Sequence, residues 1–123
     1  MKVIQSQYYA VVPYITKDGS EIRELMHPNV QGNRQQSLAE ATVMPGRRTA
    51  LHQHLITEEI YYFTQGSGTM RLGDKAFAVA AGDSIAIPPG SAHCVHNSGN
   101  EPMKILCACS PAYSHDDTIL LRE

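Results

Sequence analysis

An all-β sandwich or barrel is the fold class this sequence predicts, and three observations predict it. Turn signals recur at short intervals: Asp18-Gly19, Pro45-Gly46, Gly66-Ser67-Gly68, Gly73-Asp74, Gly82-Asp83, Pro88-Pro89-Gly90 and Asn97-Ser98-Gly99-Asn100. The segments between them are short and rich in β-branched or aromatic residues, which suit a pleated, half-buried surface. Almost nothing between the turns carries the apolar period of an amphipathic helix. Short strands closed by Gly/Pro turns build sandwiches and barrels.

Taken in order, the first strand is expected over Tyr8 to Ile15. Met26 to Gln36 is polar and aperiodic and is read as a long loop. Strands follow at Leu38 to Met44, Thr49 to His54 and Ile60 to Thr64. Thr69 to Leu72 and Ala76 to Val79 flank Gly73-Asp74, a dipeptide suited to a tight hairpin. Ser84 to Ile87 must end at Pro88-Pro89, because proline cannot serve a central ladder. Ala92 to His96 and Met103 to Ala108 complete the set. In the tail, Ser114 to Arg122, a short helix capped by Ser114-His115-Asp116-Asp117 is the one helical expectation.

The chain has 123 residues, 42% of them apolar, which fits one domain with its own core and argues against disorder. Net charge is −2 with scattered Lys and Arg, the opposite of a nucleic-acid footprint. No apolar run approaches a membrane span, and the N-terminal residues lack a signal-peptide core. The three cysteines, Cys94, Cys107 and Cys109, are an odd number with no secreted-framework spacing. These features point to a reducing cytoplasm, with neither nucleic acid nor membrane as partner.

Ten residues between Gly46 and Asn97 carry the chemistry. The first group runs Gly46, five residues, His52-Gln53-His54, four residues, Glu59, six residues, Gly66. The second runs Gly82, five residues, Pro88, one residue, Gly90, two residues, His93, three residues, Asn97. Residues two apart on a strand share a face, so His52 and His54 present imidazoles about 7 Å apart, within reach of one ion. Glu59 lies an odd number of residues beyond His54. A turn at Leu55-Ile56-Thr57-Glu58 must therefore reverse the chain, and the strand from Glu59 is expected to return antiparallel. Glu58 is the competing carboxylate, with the opposite facing; the spacing to Gly66 favours Glu59. His93 is expected from a neighbouring strand launched by Pro88-Pro89-Gly90. Three imidazoles and one carboxylate suit one divalent transition metal (Fe, Mn, Co, Ni or Zn) rather than Ca or Mg. Four protein ligands leave a six-coordinate ion two positions for small molecules, whereas structural zinc sites are closed.

These two groups resemble the paired motifs of the cupin superfamily, with every fixed position matched over residues 38 to 109. The resemblance implies a small antiparallel jelly-roll barrel with the metal inside it on His52, His54, Glu59 and His93. It divides the chain into N-terminal strands and loop (1–37), barrel core (38–109) and a tail packed on the barrel (110–123). It also implies homodimerisation, for which the apolar run Tyr8 to Val12 is the expected contact.

Strand alternation places Arg48 and Ala50 inward with the histidines, and Tyr61 and Phe63 inward with Glu59. Tyr61 and Arg48 are the candidate substrate-binding or catalytic residues. Tyr61 could donate a hydrogen bond to a bound molecule or serve as a core tyrosine; Arg48 could clamp an anion or face solvent. Cys107 and Cys109 share one parity and are expected toward the cavity, as soft groups near the metal or as apolar filler. Cys94 and His96 oppose His93 and receive no role, and His27 and His115 are read as ordinary loop residues. Leu55 and Ile56 either line an apolar mouth or meet another subunit. The expected function is a mononuclear metalloenzyme of dioxygenase, decarboxylase or isomerase type. It would act on a small oxygenated molecule such as a carboxylate, diketone or sugar derivative. A non-catalytic binding or sensing module is the alternative.

Overall fold

The computed structural model of the chain describes residues 1–122, so Glu123 of the expected tail lies outside the described residues. The strands are β1 (Tyr14–Ile15), β2 (Glu21–Met26), β3 (Ser37–Val43), β4 (His52–His54), β5 (Glu58–Gln65), β6 (Ser67–Leu72), β7 (Lys75–Ala80), β8 (Ser84–Ile87), β9 (His93–His96), β10 (Met103–Ser110) and β11 (Thr118–Leu120). They form a six-stranded sheet ordered β1-β2-β3-β10-β5-β8 and a five-stranded sheet ordered β11-β4-β9-β6-β7. Every pairing is antiparallel. This is the antiparallel jelly roll that the sequence predicts. Among the described residues no helix is long and apolar enough to cross a membrane.

Alternation along β5 and β10 builds the core between the sheets. Tyr61 and Phe63 on β5 sit opposite Cys107 and Ile105 on β10, and all four are buried. Met70, Val95 and Met103 join them in one cluster. Full burial of side chains of this size stabilises by about 1.5–3 kcal/mol each. The Gly73-Asp74 hairpin forms as expected, with Leu72 paired to Lys75 and Gly73 at φ 59°. Asn97 is wholly buried and ties three segments: its Nδ2 donates to the carbonyls of Val43 and Glu101, each at 2.8 Å, and its Oδ1 accepts from Gly99 N at 3.0 Å.

The N-terminus differs from the expectation. Tyr8 to Ile15 is not one strand: Tyr8–Ala10 is a 3-10 turn, and only Tyr14–Ile15 pairs. Pro13 cannot donate to a ladder. Instead Arg23 Nη1 donates to the carbonyls of Tyr8 and Val11, at 2.9 and 2.6 Å, and its guanidinium lies 4.3 Å from the Tyr8 ring centroid. The strand that does extend the sheet here, β2, is charged at Glu21, Arg23 and Glu24 and lacks a clean alternation: Glu21 is exposed and the five residues after it are all half-buried. Pairing with β3 makes it a strand.

The C-terminal helix is likewise replaced by β11, which pairs with β4. The polar residues that looked like a helix cap serve another turn. Asp117 accepts from Ile56 N at 2.9 Å and Thr57 N at 3.1 Å, while its carbonyl accepts from Leu55 N at 3.0 Å. That clamp holds the 55–57 reversal. Beyond that reversal β5 does not return beside β4 but crosses into the facing sheet, where it pairs with β10 and β8.

Candidate metal centre

β4 and β9 place the imidazoles. His52 and His93 are direct cross-strand partners, with ring centroids 4.2 Å apart. His54, two residues along β4, lies 5.3 Å from His52 and 5.6 Å from His93 by ring centroid. One ring nitrogen from each of the three falls within 4.8 Å of the others. Glu59 arrives from the opposite sheet: its Oε1 is 3.2 Å from His54 Nε2 and 3.5 Å from His93 Nε2. Glu58, its rival in the sequence, is exposed. Relative exposure is 3% for His52, 4% for His54, 0% for His93 and 5% for Glu59, so the cluster is closed to bulk water.

Hydrogen bonds behind the rings set their tautomers. His52 Nδ1 donates to the Ala50 carbonyl at 2.8 Å, and His93 Nδ1 donates to the Ser91 carbonyl at 2.9 Å. Thr118 donates its hydroxyl proton to the Ser114 carbonyl at 2.8 Å and so accepts from His54 Nδ1 at 3.0 Å. With Nδ1 carrying the hydrogen, each neutral ring aims a lone pair from Nε2 at the centre. A lone pair cannot hydrogen-bond a carboxylate. Glu59 Oε1 and His93 Nε2 are accordingly buried polar atoms with no hydrogen-bond partner, a costly arrangement unless a cation lies between them. Burial alone would raise the Glu59 carboxyl. Contacts from His54 and His93, first as hydrogen bonds and then as charge, would outweigh it and bring the group down to about 2, but only with protons on the Nε2 atoms that face it. A bound dication supplies the same compensation. The contact distances also suit donors around one ion, since neighbouring ligands about 2.1 Å from a metal lie about 3 Å apart. The residues present therefore fit a transition-metal ion.

Other expectations divide. Tyr61 points inward beside the cluster, its ring 5.8 Å from His93, and lines the cavity. Burial, and then the Glu59 charge, push its hydroxyl well above the ordinary value, so it remains a donor. Cys109 is the direct partner of Glu59 across β5 and β10, and its Sγ donates to Glu59 Oε2 at 3.4 Å. Cys107 Sγ faces the Ile105 carbonyl at 3.8 Å. Burial, reinforced by Glu59, holds both thiols protonated, the state of a packing group rather than a nucleophile. Arg48 takes its solvent-facing alternative and Ala50 is a correction: both are exposed, while Thr49 and Leu51 are buried. Arg48 bridges to β9 opposite His96, and Thr49 N donates to the Val95 carbonyl at 3.0 Å. Thr49 Oγ1 accepts from Val95 N at 3.0 Å, which breaks the alternation before His52. His27 lies in the loop after β2, as read, and is buried there: its Nε2 donates to the Tyr113 carbonyl at 2.7 Å, and its Nδ1 accepts from Asn29 N at 3.0 Å.

Two polar residues of the site were not singled out in the sequence. Asp18 Oδ2 lies 3.7 Å from His52 Nε2, and Thr118 holds His54. Asp18-Gly19 reads locally as a turn and nothing more, and Thr118 sits in a tail with no motif. Neither carried a signal, because both reach the site through long-range pairing.

Comparison with known proteins agrees with this geometry. The cupin domain profile matches residues 39–109. An uncharacterized protein of Methanocaldococcus jannaschii is 53% identical over 121 residues, spanning 98% of this chain and 97% of that protein. Among solved structures, a predicted oxalate decarboxylase from Thermotoga maritima superposes with TM-score 0.75 at 24% identity, covering 89% of this chain and 99% of its own. Pac13, a nucleoside dehydratase whose structures are from Streptomyces, superposes with TM-score 0.78 at 18% identity, covering 98% and 92%. Identities this low speak to the fold alone.

Proposed function

The chain belongs to the cupin domain family, and on that premise we propose that it is a mononuclear metalloenzyme for a small oxygenated molecule. His52, His54 and His93 through Nε2, and Glu59 through Oε1, hold one divalent transition metal. The observation that carries this reading is the pair of orphaned buried atoms, Glu59 Oε1 and His93 Nε2, at the meeting point of three committed imidazoles. A bound metal of this kind supplies Lewis acidity toward a coordinated oxygen, the chemistry shared by dioxygenase, decarboxylase and isomerase reactions. The chain's own residues do the rest. Tyr61 offers a hydroxyl donor at the cavity wall, Ala39 and Ala41 give that wall apolar surface, and Cys109 holds Glu59 through Oε2 so that Oε1 stays free.

Elemental analysis of the purified protein tests the centre, with one metal ion per chain expected. His52→Ala and His93→Ala are expected to abolish stoichiometric metal while circular dichroism still reports the β-sheet spectrum. Full occupancy in both variants would show that the ligands are assigned wrongly. Oxygen uptake and substrate loss are then followed across Fe, Mn, Co, Ni and Zn forms. Tight ligand binding without turnover in every form would make the protein a binding or sensing module instead.

A further inference from the structure

The charges around the cavity point to its ligand class. Along the hairpin from β1 to β2 the even-numbered residues Tyr14, Thr16, Asp18, Ser20, Ile22 and Glu24 all face the cavity that holds His52, His54 and Glu59. Asp18, Glu24 and Glu59 put three carboxylates in its lining, and no Lys or Arg among the described residues lines it. The nearest cations are turned elsewhere. Lys17 Nζ donates to the carbonyls of His115 and Thr118, at 3.1 and 2.8 Å, and Arg23 serves the carbonyls of Tyr8 and Val11. A surface groove bordering the cavity at Tyr14, Glu24 and Tyr113 adds a further acid, Asp116, beside His27 and His115.

Asp18 is built into place. Its Oδ1 accepts from Ser20 N at 2.9 Å and Ser20 Oγ at 2.6 Å, which leaves Oδ2 directed at His52 Nε2, 3.7 Å away. The unpartnered Glu59 Oε1 in its lining and His93 Nε2 beside it, both over nine-tenths buried, mark the metal position on which this reading builds. A dication on the neutral imidazoles offsets two of the three carboxylates, so an entering molecule still meets net negative charge in a confined space of low dielectric. A free carboxylate or phosphate would enter against that charge with no guanidinium or ammonium to receive it. Hydroxyls are abundant instead: Tyr14, Thr16 and Tyr113 stand beside the acids, and burial raises both tyrosines so that they stay protonated donors.

We infer that the cavity takes a neutral or cationic, hydroxyl- or carbonyl-bearing small molecule and excludes free carboxylates and phosphates, with Asp18 setting that selectivity. The inference rests on the metal centre proposed above and narrows its substrate class to members without a free carboxylate or phosphate, such as diketones and unphosphorylated sugar derivatives.

The test uses the Co(II)-loaded full chain, its visible absorption, and two probe ligands of opposite kind: azide, an anion, and imidazole, which is neutral. Asp18→Asn keeps an acceptor for Ser20 and is expected to retain one Co(II) per chain. It should strengthen azide binding by about tenfold, the order expected from removing one nearby charge, while imidazole binding changes less than about twofold. Glu24→Gln, farther from the ligands, should shift azide in the same direction by less and serves as a second variant if Asp18→Asn fails to fold. Azide affinity unchanged in both variants overturns the inference, as does an equal rise for azide and imidazole, which would report a loosened cavity. A chain that takes up no Co(II) overturns the metal centre itself.

Discussion

Each imidazole of the centre is held in one tautomer by an acceptor behind it, and that commitment makes the site sensitive to acid. His52 is pushed below the ordinary histidine value by burial and then by His93, with Asp18 opposing in part. The sign follows directly. A histidine whose folded value is lowered leaves the folded state binding fewer protons than the unfolded chain, so stability falls as pH drops below about 6.5. Glu59 acts in a lower window. Its contribution is complete above its ordinary value of 4.5 and is lost as pH falls toward about 2. Protons also compete with the metal for Nε2. Chelator competition between pH 7.5 and 5.5 should therefore show metal affinity falling by at least about tenfold, and the metal-free protein should unfold at lower urea concentration at pH 5.5 than at pH 7.5. A flat profile in both would mean the imidazoles are not the titrating ligands. The shared facing of His52 and His54 was legible in the sequence because spacing within a strand determines which residues point together. The role of Asp18 was not, because a turn aspartate gives no local indication of where its second oxygen points.

At the scale of the element, β4 contributes only three residues, yet it carries two of the four proposed ligands. Its neighbours hold it: β9 on one edge and β11 on the other. The brace from β11 is specific, since Thr118 lies opposite His54 and receives its Nδ1–H. Thr118→Val preserves volume and strand preference but removes that acceptor. Metal affinity is expected to fall by about 10- to 100-fold, the usual consequence of losing such a support, with the sheet intact by circular dichroism. Unchanged affinity would assign the orientation of His54 to packing alone. Central strands such as β5 and β10 were readable from alternation because both of their faces obey burial. The edge strands β1 and β11, and β2 next to β1, were misread or missed because their strand character comes from the partner they pair with. Gly66 shows the same division within the motif: its φ of +84° is a turn requirement visible in sequence, but the 2.9 Å approach to Met103 Cα that a Cβ would make is a tertiary fact.

At the scale of the whole molecule, the unsolved face is the N-terminus. Val3, Tyr9, Val12 and Ile15 are each more than two-thirds exposed, and Leu55 and Ile56 stand out beside the metal cluster at 53% and 68%. Exposed apolar side chains in this number on a small domain are a feature of association surfaces. We propose that the chain forms a homodimer through the N-terminal segment. Light scattering on a sizing column should give twice the 13.5 kDa chain mass, and Tyr9→Asp combined with Val12→Asp should return it to monomer without loss of metal. A clean monomer of the unaltered chain at micromolar concentration removes the proposal.

Sequence by itself determined the fold class, the central strands and the paired facing of His52 and His54, because strand alternation and turn chemistry are local rules. Tertiary structure alone decided that Glu59 crosses from the facing sheet and that Arg48 turns outward. It also brought Asp18 and Thr118, one from each end of the chain, to the same histidine strand. Those placements depend on long-range pairing and on which hydrogen-bond partner each buried group finds, and neither is written in the spacing of neighbouring residues.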